Sequence, residues 1–120
     1  MPVGISWQIV GDAKTRLINR EHSRVTGVPP DQALKIESYR NVSHPDDYAR
    51  NLTLRAKLDR GEIEQYTMER RYLRPDGGMV WAAFTMRYFR QPGNSNIQEV
   101  VTLVDITDQK QAAEELRLAK

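Results

Sequence analysis

The second half of the chain leaves few folding choices. After residue 65, three long runs rich in β-branched, aromatic and aliphatic side chains are separated by only two breaks, Arg74-Pro75-Asp76-Gly77-Gly78 and Gln91-Pro92-Gly93-Asn94-Ser95-Asn96. Asp-Gly supplies the positive φ angles of a tight hairpin. Three strands joined by two turns, over 66–73, 79–89 and 97–106, make an antiparallel meander. In the first, Tyr66, Met68 and Tyr72 share one face and Thr67, Glu69 and Arg71 the other. The last carries Val100-Val101-Thr102-Leu103-Val104, a pattern that suits a central strand covered on much of both faces.

The first half is built differently. Residues 4–10 alternate Ile5, Trp7 and Ile9 with polar or small neighbours, as a strand does; 11–14 read as a turn and 15–18 as a short second strand. Asn19 stands at the N-cap of a helical stretch over 20–26, and Gly27 follows where a left-handed residue ends a helix. Pro29-Pro30-Asp31 opens a helical turn toward Leu34 and Ile36. The clearest helix start is Ser43-His44-Pro45-Asp46-Asp47: proline needs no N–H at the first position, and both carboxylates face the positive end of the helix dipole. That helix reaches Asp59 or Arg60 and stops at Gly61. Tyr48, Leu52 and Ala56 form one stripe on it, Leu54 and Leu58 a second row. Strands segregated from helices make this an α+β domain. The tail, 107–120, is a polar helix in which Ala112, Leu116 and Ala119 fall at coiled-coil spacing. It is too short to be stable alone, so the natural protein is expected to continue past Lys120.

Composition narrows the function classes. The chain has 120 residues and no cysteine, which excludes disulfides, thiolate metal sites and cysteine nucleophiles. Its 18 basic and 16 acidic residues are interleaved, with a net charge of +2, so no nucleic-acid partner is expected. No run approaches ~20 apolar residues and no basic-then-apolar leader opens the chain. The expected compartment is the cytoplasm, with no membrane contact by this segment.

The order strand, strand, short helices, helix, three antiparallel strands, exit helix resembles the PAS fold. Four local motifs agree: Asn19 followed by Thr26-Gly27; His44-Pro45-Asp46-Asp47; Glu69 and Arg71, then Asp76-Gly77, then Trp81; and Asp105-Ile106-Thr107 followed by Asp108-Gln109-Lys110. Together they resemble the bacterial PAS/PAC sensory modules. Where that family usually places an aromatic residue, three after the asparagine, this chain has His22, and its usual first-turn glycine is replaced near Ala13. The resemblance implies a five-stranded antiparallel sheet with short helices on one face. It implies a sensory domain over 1–106 and a signalling helix beginning at 107. It further implies a downstream output domain, a histidine kinase or a diguanylate cyclase, while the Ala112/Leu116/Ala119 seam implies a parallel homodimer.

Catalysis has no plausible residue set. Ser43, His44 and Asp46 are too close in sequence to form a triad, and no phosphate-binding glycine loop or metal-ligand spacing occurs. His44 reads as a helix-start residue rather than a ligand. The expected pocket draws on His22, Tyr48, Leu52, Tyr66, Met68, Phe84 and Met86. By the resemblance it could hold a small molecule; a cysteine-linked flavin is excluded, and a noncovalent flavin or haem is a minor alternative. Glu69, Arg71, Trp81, Asp105 and Thr107 are expected to join the sheet to the exit helix and relay the signal, with Glu69, Arg71 and Asp105 in one charge network. The competing reading is a ligand-free dimerisation or docking module with a filled core.

Overall fold

The computed structural model describes residues 1–119. Five antiparallel strands form one sheet in the order β2-β1-β5-β4-β3. They are β1 (Gly4–Ile9), β2 (Asp12–Ile18), β3 (Gln65–Leu73), β4 (Met79–Arg90) and β5 (Ile97–Asp105). Between β2 and β3 run α1 (Arg20–Thr26), a 3₁₀ turn (Pro30–Gln32), α2 (Ile36–Val42) and α3 (Pro45–Asp59); α4 (Thr107–Leu118) follows β5. The architecture is the expected α+β one, with the expected meander and a C-terminal helix. β5 is central, bonded to β1 on one side and β4 on the other.

Strand alternation decides where the core lies. Tyr66, Met68, Arg70 and Tyr72 of β3 point inward, as do Ala82, Phe84, Met86 and Tyr88 of β4 and Glu99, Val101 and Leu103 of β5. Val25 of α1 and Leu58 of α3 close over them, both with no exposed surface. Burying a side chain of this size stabilises the fold by about 1.5–3 kcal/mol. Gly4 is where β1 meets α1: a Cβ there would lie 2.9 Å from His22 Cα.

α1 is held at both ends. Asn19 Oδ1 accepts from His22 N, and Gly27, at φ 78°, donates its N–H to Ser23 O. The Arg74 guanidinium fills the space beside Gly27 and donates to the Arg24 and Val25 carbonyls, so the β3–β4 turn caps the helix. At the start of α3, His44 Nδ1 accepts from Asp46 N.

Four local expectations need correction. The β1–β2 turn is only Val10 and Gly11, so β2 begins at Asp12 rather than at residue 15. α2 is a full helix where the sequence suggested only a turn toward Ile36; its last turn is tied down by Ser43, whose Oγ donates to Tyr39 O. On α3 the Tyr48/Leu52/Ala56 stripe is not the buried face. Leu52 is 49% exposed, and the side chains turned inward are Asp47, Asn51 and Leu58, with Leu54 half-buried. In the tail, Ala112, Leu116 and Ala119 are all exposed, and the helix ends at Leu118; Lys120 lies outside the described residues.

Candidate ligand cavity and helix junction

Beneath α1, α2 and α3 lies a cavity of about 80 Å³ whose floor is the inner face of the sheet. All five strands and α1, α2 and α3 contribute to its wall. His22, Tyr48, Leu52, Phe84 and Met86 of the expected pocket line it. Tyr66 and Met68 do not; they pack in the core beside it. The Tyr66 hydroxyl donates to Asn51 Oδ1, which is itself in the wall.

The sequence reading missed the charged part of the wall, which comprises Arg16, Arg55, Arg70 and Glu99 together with Tyr39 and Asn51. Glu99, 2% exposed, accepts from Gln8 Nε2 and lies 3.3 Å from Arg55 Nη2. Arg16 donates to Gln8 Oε1 at 3.0 Å and to Ala33 O at 3.2 Å, and its guanidinium stands 5.4 Å from the centre of the Tyr39 ring. Arg70, 5% exposed, is stacked 4.7 Å from the Phe84 ring centre and 5.2 Å from that of Tyr72. One of its nitrogens, Nη2, donates to Ser43 Oγ at 3.0 Å. Arg70 Nε, His22 Nδ1 and Tyr39 Oη are buried without a hydrogen-bond partner. Burial, reinforced by the positive charge of Arg16, lowers the His22 pKa from 6.5 to about 4, so the imidazole is neutral at physiological pH.

A signal for these residues existed in the alternation. Arg70 occupies an inward position between Met68 and Tyr72, and Glu99 one shared with Val101 and Leu103. A charge at a core-facing strand position is rare unless something pairs it.

The second candidate feature is the junction with α4. Trp81 is its centre. Ile106 N donates to Trp81 O at 2.9 Å, and Trp81 N donates to Thr107 Oγ1 at 3.1 Å. Lys110 Nζ lies 4.5 Å from the Trp81 ring centre and bonds Glu69 Oε1 at 2.5 Å; the Arg71 guanidinium stacks on the same ring at 5.2 Å.

Glu69, Arg71 and Asp105 do not form one network. Glu69 pairs with Lys110 of α4. Arg71 is bidentate to Asp47 of α3, at 2.9 Å for each nitrogen, and its backbone N–H adds a third bond at 2.7 Å. Asp105 accepts from Thr107 N at 2.9 Å and pairs with Arg24 of α1 at 3.1 Å. Burial pushes the Asp47 and Asp105 carboxyls up. Hydrogen bonds and charge outweigh it, from Arg71 in the first case and from Thr107 and Arg24 in the second, and hold both below the usual carboxylate range. The pairs stay separate because Glu69 and Arg71, though on one strand face, bond different helices, Glu69 to α4 and Arg71 to α3.

A flavin or haem does not fit this cavity, which is well below the roughly 300 Å³ at which ligand pockets for such groups begin. Among the described residues, no three His, Asp or Glu side chains are grouped to hold a metal ion. Among the same residues, no helix is long and apolar enough to cross a membrane.

Comparison with known proteins places this arrangement. A family model described as the PAS fold matches residues 16–104. The probable diguanylate cyclase DgcE of Escherichia coli K12 is 29% identical over 73 residues; the match takes in 61% of this chain but only 7% of that protein's length. The N-terminal domain of a diguanylate cyclase with PAS/PAC sensor from Marinobacter aquaeolei superposes with a TM-score of 0.74 at 16% identity, covering 91% of this chain and 99% of that one. A sensory box histidine kinase/response regulator from Burkholderia thailandensis gives 0.66 at 22% identity, over 98% and 86%. With the family model spanning about three-quarters of its length, the chain belongs to the PAS-fold family.

Proposed function

We propose that this PAS domain is the sensory module of a larger bacterial signalling protein, binding a small molecule in the cavity and passing its presence to α4. One observation supports this above the rest. Three consecutive residues of β3 serve the cavity and the junction at once. Arg70 points into the cavity wall, while Glu69 and Arg71, on the opposite face, hold Lys110 of α4 and Asp47 of α3. A ligand that repositions Arg70 therefore acts on the strand carrying both outward pairs. It can shift the junction only by its differential affinity for the two arrangements.

The output is a diguanylate cyclase or a histidine kinase, carried downstream on α4 in a cytoplasmic protein. α4 supports dimeric relay: beyond Lys110 it is exposed on every side, with Leu116 68% and Leu118 67% exposed. Helices of this length are marginal without a partner, and the Ala112/Leu116/Ala119 seam offers one in a parallel homodimer.

A second reading, a ligand-free docking module, is favoured by the outer sheet face. There Leu17 and Val100 flank Trp7 in one cross-strand row, and Leu17 and Ile5 are exposed. Native mass spectrometry with an absorbance spectrum separates the two. Excess mass on the purified chain supports the sensor. A clean, unliganded dimer, unchanged by any small molecule added, supports the docking module.

A further inference from the structure

We infer that the cavity binds a small organic carboxylate, with Arg70 as its counter-ion and Arg16 as the second cationic wall; this rests on the sensory reading and adds the ligand's chemistry. A guanidinium keeps its proton in a protein, so Arg70 is a cation at 5% exposure. The chain gives it one neutral hydroxyl and two aromatic faces, and its Nε donates to nothing. Arg16 likewise bonds only an amide and a carbonyl oxygen. The one carboxylate in the wall, Glu99, accepts from Gln8 at Oε2 and lies 3.3 Å from Arg55 Nη2 at Oε1, which has no hydrogen bond of its own. Three guanidiniums thus face one carboxylate, and buried charge without a partner is costly. A neutral ligand leaves that imbalance; a carboxylate reduces it and gives Arg70 a counter-ion.

Shape narrows the anion. A guanidinium presents its donors in one plane, which matches the two oxygens of a carboxylate. Arg70 is held against the Tyr72 and Phe84 rings and by Ser43 Oγ. Tyr39 Oη and His22 Nδ1, buried and unpartnered, provide neutral hydrogen-bonding groups at the same cavity. About 80 Å³ admits a short-chain acid and excludes nucleotides and aromatic cofactors.

The test is calorimetric titration of the 120-residue chain, at constant ionic strength, with acetate and succinate, with the matched amides acetamide and succinamide, and with phosphate. It is repeated on Arg70→Met and Arg70→Lys. The expected result is acid binding with the amides at least tenfold weaker. Arg70→Met should lose at least tenfold in acid affinity while melting at a higher temperature without ligand, because an unpaired buried charge is gone. Arg70→Lys, which keeps charge but not the planar fork, should lose several-fold, and it decides the matter should the Met variant not fold. Acids and amides binding alike, or variants binding acids as tightly as the parent, overturn the charge assignment but leave a ligand cavity. Binding of phosphate alone overturns carboxylate in favour of phosphate. No binding by any of the five compounds, with no excess mass on the purified chain, overturns the sensory reading and this inference together.

Discussion

Asn19 closes three hydrogen bonds with one side chain. Its Oδ1 accepts from the N–H groups of His22 and Ile5, and its Nδ2 donates to Val3 O, so the N-cap of α1 is also the clasp between α1 and β1. Asn19→Ala should cost about 1–2 kcal/mol in urea unfolding, the upper end of the range for a lost cap; a loss near zero would show the clasp to be solvent-replaceable. His22, one turn on, predicts an acid response. Its folded pKa near 4 lies below the unfolded 6.5, so the unfolded chain binds the proton first. Stability is complete above pH 6.5 and falls by about 1.4 kcal/mol per unit as pH drops from there toward 4. In His22→Gln the melting temperature should be flatter across that window. Much at this scale was readable beforehand, because caps and turns are local: Asn19, Gly27, His44 and Gly77 each do what their type and position suggest. Arg70, Arg16 and Glu99 were not, since whether a charged strand residue faces water or the core depends on what covers that face.

At the scale of elements, α3 shows where sequence patterning misleads. Its longest apolar stripe gives Tyr48 and Leu52 to the cavity wall, and the helix is anchored by a carboxylate instead. Asp47, 1% exposed, is gripped by Arg71 through two side-chain bonds and a backbone N–H. Read along the chain, Asp46 and Asp47 are equivalent dipole-capping acids. In three dimensions Asp46 is exposed and Asp47 pins α3 to β3. Asp47→Ala removes three hydrogen bonds from partly exposed Arg71 and should cost about 1–3 kcal/mol in chemical denaturation. Asp46→Ala should cost only a few tenths to about 1 kcal/mol, the value of a dipole-end charge. α2 escaped notice for the opposite reason. Its Ser, Asn and β-branched residues have weak helix propensity, and tertiary ties at Ser43, which also bridges Tyr72, make up the difference. The exit-helix junction was legible as a set of residues and not as a set of pairs, because strand parity says which side chains share a face but not how far each reaches.

For the whole molecule, the sheet order carries a consequence of its own. β1–β2 and β3–β4 are two hairpins with no ladder between them, and β5 is the strip that bonds to both. β5 is also the last strand to leave the ribosome. Until residue 105 has emerged, the nascent chain holds two separate ribbons with unpaired edges and an open core, so assembly waits for the end of synthesis and is slow by contact order. A chain ending at Asn96 should lack cooperative unfolding by circular dichroism, whereas one ending at Lys110, which retains Thr107 and the Glu69 contact, should unfold in a single transition. In a growing polypeptide, the domain therefore completes itself only once β5 and the start of α4 have both been made.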